Sequence, residues 1–232
     1  MTRISTVLLS AFFTLVASLP AQAEIIEKSY TYFNLTIDCD RRSALKFDYS
    51  LTADVGSAAR PSSFTTDPTI PARCQQTSTA SYASVRSGWD RGHLVMSNHM
   101  DINSTAIARA NYMSNIMPQT STMNQGAWLR TEEIAECYRE YSKVRVMGGP
   151  VWAGGALNTY FLSSHGVSTP RSYWKVILKL DSYGNATDAI GWIVPNNTAA
   201  TKSNVNSYLK SIADIEAASG YSIPVSDSFR YM

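Results

Sequence analysis

Apolar and polar positions alternate in short runs over residues 30–51, and a period of two predicts one or two β-strands there. The same alternation recurs over 143–147, where Gly148-Gly149-Pro150 is expected to end the strand, and over 173–180. Residues 190–194 read as a further strand closed by Pro195. Helical spacing takes over elsewhere. Residues 103–112 suit a short helix, 125–141 place Trp128, Ala135 and Tyr138 on one stripe, and 203–219 carry Val205, Leu209, Ile212 and Ile215 before stopping at Gly220. Between 53 and 79 the chain is rich in Ser, Thr, Pro and Ala. Arg60-Pro61, Asp67-Pro68 and Ile70-Pro71 break regular structure there, so a long surface loop is expected. Residues 88–96 are too short and too glycine-interrupted for a helix. On a strand or hairpin edge, Arg91 and His93 would share one face. Strands and helices mix without regular alternation, which predicts an α+β fold, a mostly antiparallel sheet flanked by helices.

The N-terminus changes the picture of where the chain works. Arg3, an apolar run from Val7 to Leu19 and Ala21-Gln22-Ala23 have the form of a secretory signal peptide over residues 1–23. The run is short for a bilayer-spanning helix, so export to the periplasm or beyond is expected, with no membrane attachment after cleavage. The remaining 24–232 suit a single domain, without internal repeat or low-complexity linker. The chain has 20 basic and 18 acidic residues and a formal charge of +2. Such a balance does not announce a nucleic-acid binder, so a polyanionic substrate would require basic residues gathered on one face. Cys39, Cys74 and Cys137 allow one intramolecular disulfide at most. Cys39–Cys74 is preferred because both lie in the loop-rich N-terminal third, while pairings with Cys137 stay open. The wide spacings, with no C-x-x-C, argue against zinc-knuckle or thioredoxin-like chemistry.

The candidate chemistry is concentrated in three runs: Asp90-Arg91-Gly92-His93, then Asn115-Ile116-Met117-Pro118-Gln119, then Asn124-Gln125-Gly126-Ala127-Trp128. A neutral imidazole accepts a proton near neutral pH, a guanidinium grips phosphate in bidentate fashion, and an amide oxygen suits magnesium.

With these runs in this order, the chain from Ser50 to its C-terminus resembles the DNA/RNA non-specific endonucleases of the ββα-metal, or His-Me finger, superfamily. Arg60 upstream of Asp67-Pro68, and Ser172-Tyr173-Trp174-Lys175-Val176-Ile177 downstream, extend the likeness. The resemblance implies a ββα-metal core. It implies His93 as general base, Arg91 and Arg60 on phosphate, Asn115 orienting the site or the substrate, and Asn124 as the one direct protein ligand of Mg²⁺, with Mn²⁺ as a substitute. Glu132 would act on the ion's water shell. DNA and RNA would be the substrates and 5′-phosphorylated oligonucleotides the products. Eight helical residues span ~12 Å, so Asn124 and Glu132 serve one ion only if water bridges them or Asn124 precedes the helix. One departure stands out: the family pattern places an arginine where this chain has Glu136, with Arg139 as a substitute candidate.

Each residue also has an ordinary structural use. Asn124 suits a helix cap, Arg91 an ion pair with Asp90, and Glu132 the positive end of a helix dipole. Trp128, Trp174 and Trp192 suit the core, and His99 and His165 the surface or loops. The rival function of another class is a non-catalytic nucleic-acid-binding protein on a degenerate nuclease fold. A metallopeptidase is disfavoured by the absence of H-E-x-x-H.

Overall fold

The computed structural model describes residues 23–231, so the signal-peptide reading lies, up to residue 22, outside the described residues. Eight strands form in chain order: β1 Ile25–Ser29, β2 Phe33–Asp38, β3 Ser43–Leu51, β4 Trp89–His93, β5 Ile116–Thr120, β6 Lys143–Val151, β7 Ser172–Leu180 and β8 Ala186–Pro195. Six make one antiparallel sheet in the order β1-β2-β3-β6-β7-β8, and β4 with β5 makes a separate two-stranded finger. With the Leu129–Arg139 helix that follows, the finger completes a ββα unit. The fold is α+β, as the mixed pattern predicts.

Strand alternation divides the core. On β7, Tyr173 and Ile177 face a large cluster shared with the finger, whereas Trp174, Val176 and Leu178 face a smaller one covered by the Ile212–Ser219 helix. Trp128, Trp174 and Trp192 are all buried core residues, as expected. Lys175 follows the Tyr173 face and so carries a fully buried ammonium toward the finger side.

Several boundaries differ from the sequence expectation. Gly148-Gly149-Pro150 does not end β6, because β7 keeps pairing with it as far as Val151. The 203–219 segment is not one helix: a 3₁₀ stretch, Lys202–Tyr208, stops, and Ser211 then caps the Ile212–Ser219 helix by accepting from the Asp214 N–H. The 125–141 segment becomes regular only at Leu129. Before it, Asn124–Trp128 form a wide π turn whose Gly126 is non-helical, at φ −111° and ψ −105°. A Cβ at Gly126 would lie 2.8 Å from the Ala200 carbonyl oxygen, so close backbone approach requires glycine at the kink.

The 53–79 segment is not merely a surface loop. Gln75 buries its amide to close a turn, accepting from Asp67 N at 2.5 Å and donating to Asp67 O and Ile70 O at 2.7 and 3.0 Å. Tyr30 Oη donates to the buried Asp67 carboxylate. Cys39 and Cys74 form the disulfide, and Cys137 is free and exposed. Among the described residues, no helix is long and apolar enough to cross a membrane.

The disulfide closes a separation of 35 residues between β2 and the end of this loop. Replacing both cysteines by serine should lower unfolding stability by about 3 to 4 kcal/mol in urea titration, by the chain-entropy relation. A midpoint and slope equal to wild type would show that the buried polar network alone holds the loop.

Candidate active site

The finger sets the geometry. Residues two apart on β4 share a face, so Arg91 and His93 point together, while Asp90 turns to the other side. Gly92 lies between them because a Cβ there would meet the Gln119 side chain of β5 at 2.1 Å. A cavity of about 290 Å³ gathers Arg60, Arg91, His93, Asn124 and Glu132 on its wall. Five of the six proposed site residues therefore converge. Asn115 does not line the cavity. It is fully buried, with Oδ1 accepting from Val95 N at 2.9 Å and Nδ2 donating to Val95 O and Ala110 O at 2.9 and 2.8 Å. Its burial keeps it from reaching the cavity directly, and its amide bonds clamp the chain just after His93. Its carbonyl also accepts from Leu94 N at 3.0 Å, extending the β4–β5 pairing one residue past His93.

A residue the sequence did not single out controls His93. Asn111, just after the Ser104–Ala110 helix, donates from Nδ2 to Pro61 O and Ser63 O at 3.1 and 3.3 Å. Those two carbonyls fix the amide, so its Oδ1 must face His93 Nε2, 2.9 Å away, and accept its proton. Nδ1 is left as the unprotonated nitrogen, with no hydrogen-bond partner among the described residues. Burial pushes the imidazole pKa down to about 4, opposed by the bond to Asn111 and reinforced by the Arg60 and Arg91 charges. A neutral ring with one basic nitrogen follows at physiological pH.

Arg91 makes no ion pair with Asp90. Its Nη1 donates to Thr79 O at 2.7 Å and its guanidinium lies over the Phe64 ring at 4.0 Å, a cation–π seat. Asp90 instead accepts from Ser121 Oγ, Asn124 Nδ2 and Gln125 Nε2 at 2.7 to 2.9 Å. The Asn124 amide nitrogen is thus spent on Asp90 rather than on a helix cap, and its Oδ1 has no hydrogen-bond partner among the described residues. Because the kink at Gly126 separates Asn124 from the regular helix, Asn124 and Glu132 reach one cavity without spanning a straight helix.

Glu132 is buried in the helix's first turn, and its Oε1 lies 3.5 Å from Lys175 Nζ. Burial raises the Glu132 carboxyl, opposed by the Lys175 charge. Burial lowers Lys175 to about 8, opposed by Glu132. Lys175 also lies 3.7 Å over the Trp128 ring, whose Nε1 donates to His93 O at 3.0 Å, so the ion pair is tied to the finger. In the sequence, Lys175 stands out as a lysine between Tyr173 and Ile177 on one face of the strand, within the run that extends the family likeness.

The remaining histidines are not surface groups. His99 is buried beside Tyr49 Oη at 2.9 Å, and His165 is buried between Ser164 Oγ and Ala80 O at 2.8 and 3.0 Å. Glu136 meets His99 Nε2 at 3.6 Å, but burial holds His99 well below the usual imidazole range, so this is no charge pair. Glu136 and Arg139 both lie off the cavity wall, and Arg139 pairs with Asp54.

Comparisons with known proteins bear on the family and the fold. A family model described as DNA/RNA non-specific endonuclease matches residues 11–226. The chain belongs to that family. Its relatives include the mitochondrial nuclease EXOG of Xenopus laevis, 31% identical over 181 residues, 74% of this chain and 50% of the frog protein. A nuclease of Nostoc sp. is 28% identical over 72% of this chain and 61% of its own length. Nuclease C1 of Cunninghamella echinulata is 30% identical over 68% and 65%. The chain thus spans half to about three fifths of the first two relatives' length. The crystal structure of the EndoG/EndoGI complex holds a chain of the same fold, with a TM-score of 0.73 at 19% identity, covering 94% of this chain and 96% of that one.

His93 should titrate near pH 4 by NMR, against about 6.5 for a free imidazole. Because the folded value is depressed, the unfolded state binds more protons below pH 6.5, and stability should fall as pH drops from about 6.5 toward 4. A His93 resonance that titrates at 6.5 or above would contradict its enclosure.

Proposed function

We propose that this family member is a Mg²⁺-dependent endonuclease that hydrolyses phosphodiester bonds in both DNA and RNA, with Mn²⁺ able to replace Mg²⁺. The observation that carries the reading is the neutral His93 with Nδ1 unengaged, on a cavity wall shared with two oxygen donors and with two arginines that make no direct ion pair among the described residues. His93 Nδ1 takes a proton from the attacking water, for which a neutral ring is required. Arg91, preset by Phe64 and Thr79, and Arg60 hold the phosphate and offset its charge. Neither reads a base, which fits indifference to sequence and to sugar.

The donor set suits a hard divalent cation. Asn124 offers one neutral amide oxygen and Glu132 a buried carboxylate, so most positions would be left to water and substrate, as Mg²⁺ prefers. Asn124 would hold the ion directly and Glu132 through water. Bound there, the ion would neutralise charge developing on the phosphate and the leaving 3′ oxygen. Cleavage on that side of phosphorus gives 5′-phosphorylated products. The leader-like N-terminus supports export to the periplasm or beyond, and the disulfide is consistent with an oxidising compartment.

Glu136, in place of the family's arginine, is the feature that would favour a non-catalytic binder. Its position off the cavity wall leaves the proposed base, cations and oxygen donors complete.

Purified protein should cut plasmid and RNA with Mg²⁺ and stop in EDTA. His93→Ala should lose at least 10²–10⁴-fold in rate while still binding DNA, the usual contribution of a general base. Near-wild-type cutting by the folded variant would overturn His93 as base, and binding without cutting by the wild type would favour the rival. Asn124→Ala should shift half-maximal activity to higher Mg²⁺ concentration, and an unchanged metal titration would remove Asn124 as ligand.

A further inference from the structure

Arg86 is built like Arg91. Its guanidinium lies over the Tyr160 ring at 4.0 Å, the separation of Arg91 from Phe64, and it has no carboxylate partner among the described residues. Arg41 also covers an aromatic ring, Trp152 at 4.5 Å, but it is paired with Asp38. Arg73, Arg139, Arg145 and Arg230 likewise meet carboxylates. Arg86 and Tyr160 are both exposed, Tyr160 at 43%.

The pair is joined to the cavity by packed rings. Trp89 shares the Arg91 and His93 face of β4, and its ring lies 6.3 Å from Tyr160 and 5.6 Å from Phe161. Phe161 stacks near Tyr82 at 4.6 Å, and Tyr82 near His165 at 4.7 Å. His165 bonds to Ala80 O, beside the Thr79 carbonyl that takes Arg91. Two strand residues of rise, the length of the Trp89 side chain and the 6.3 Å Trp89–Tyr160 ring separation put the Tyr160 ring at most ~17 Å from the Arg91 Cα. That reach corresponds to a few nucleotides of backbone, about five at most.

We propose that Arg86, seated on Tyr160, is a second phosphate contact, gripping the nucleic-acid backbone a few nucleotides from the scissile bond. The proposal rests on the nuclease reading and extends it. Tyr160 is a positioning residue: its ring holds the guanidinium as Phe64 holds that of Arg91. A seated guanidinium loses less freedom on meeting phosphate than one on a free side chain. The outlying contact would give longer strands an advantage over short ones, without base preference.

The test is salt-titrated binding in EDTA of a labelled single strand of roughly 20 nucleotides and of a trinucleotide, by anisotropy. Removing one phosphate contact should make the slope of log K against log salt shallower by about 0.7 for Arg86→Ala on the long strand. The ratio of long-strand to trinucleotide affinity should fall with it. Tyr160→Phe should retain the wild-type slope because the ring remains, and Tyr160→Ala should lose part of it. An Arg86→Ala protein with wild-type slope and ratio, or one weakened equally on both lengths, would overturn the proposal while leaving the nuclease reading intact. Wild-type protein that binds neither strand but still cuts plasmid would overturn it too. Wild-type protein that neither binds nor cuts would overturn both.

Discussion

The amide of Asn111 bridges the incoming loop and the imidazole of His93, and the chemistry of the site follows from its orientation. Pro61 O and Ser63 O accept its two protons, so its oxygen faces Nε2 at 2.9 Å. Were the amide reversed, carbonyl oxygens would face an oxygen, and the imidazole would be pressed into the other tautomer. Asn115 supports the arrangement one turn away by clamping the chain just after His93. Two buried amides thus place an imidazole whose own burial keeps it neutral.

Charge in the cavity is managed locally, which explains how a chain of formal charge +2 can present a site for a polyanion. Arg60 and Arg91 make no direct ion pair among the described residues, while Asp90 is occupied by a serine and two amides. Lys175 and Glu132 neutralise each other out of solvent, at 3.5 Å, against the face of Trp128. Such a pair is no guarantee of stability, but removing one member strands the other charge in a low-dielectric interior. The same tryptophan bonds to the His93 carbonyl, so ion pair, helix start and His93 form one connected block.

Much of this was legible in the residues, and the reasons for the gaps are specific. A period of two placed Arg91 and His93 on one face, and β4 bears them there. The helix carrying Glu132 was expected, but the kink at Gly126 depends on the Ala200 carbonyl, some 75 residues on, which no local pattern encodes. The break before Ser211 could have been read from its capping hydroxyl, yet the run of Val205, Leu209, Ile212 and Ile215 matched one helix well enough to hide it. His99 and His165 looked like loop residues because their partners, Tyr49 and Ala80, are remote in sequence. Asn111 stayed unseen for the same reason: its importance lies in two carbonyls some 50 residues upstream.

The most direct measurement is the tautomeric state of His93, read from the ¹⁵N shifts of its ring nitrogens at neutral pH in otherwise unlabelled protein. A proton on Nε2 with Nδ1 unprotonated is the predicted result, and Asn111→Leu should broaden or mix the two forms. A proton on Nδ1, or a charged ring, would contradict the assignment of His93 as a base whose free nitrogen is set by Asn111.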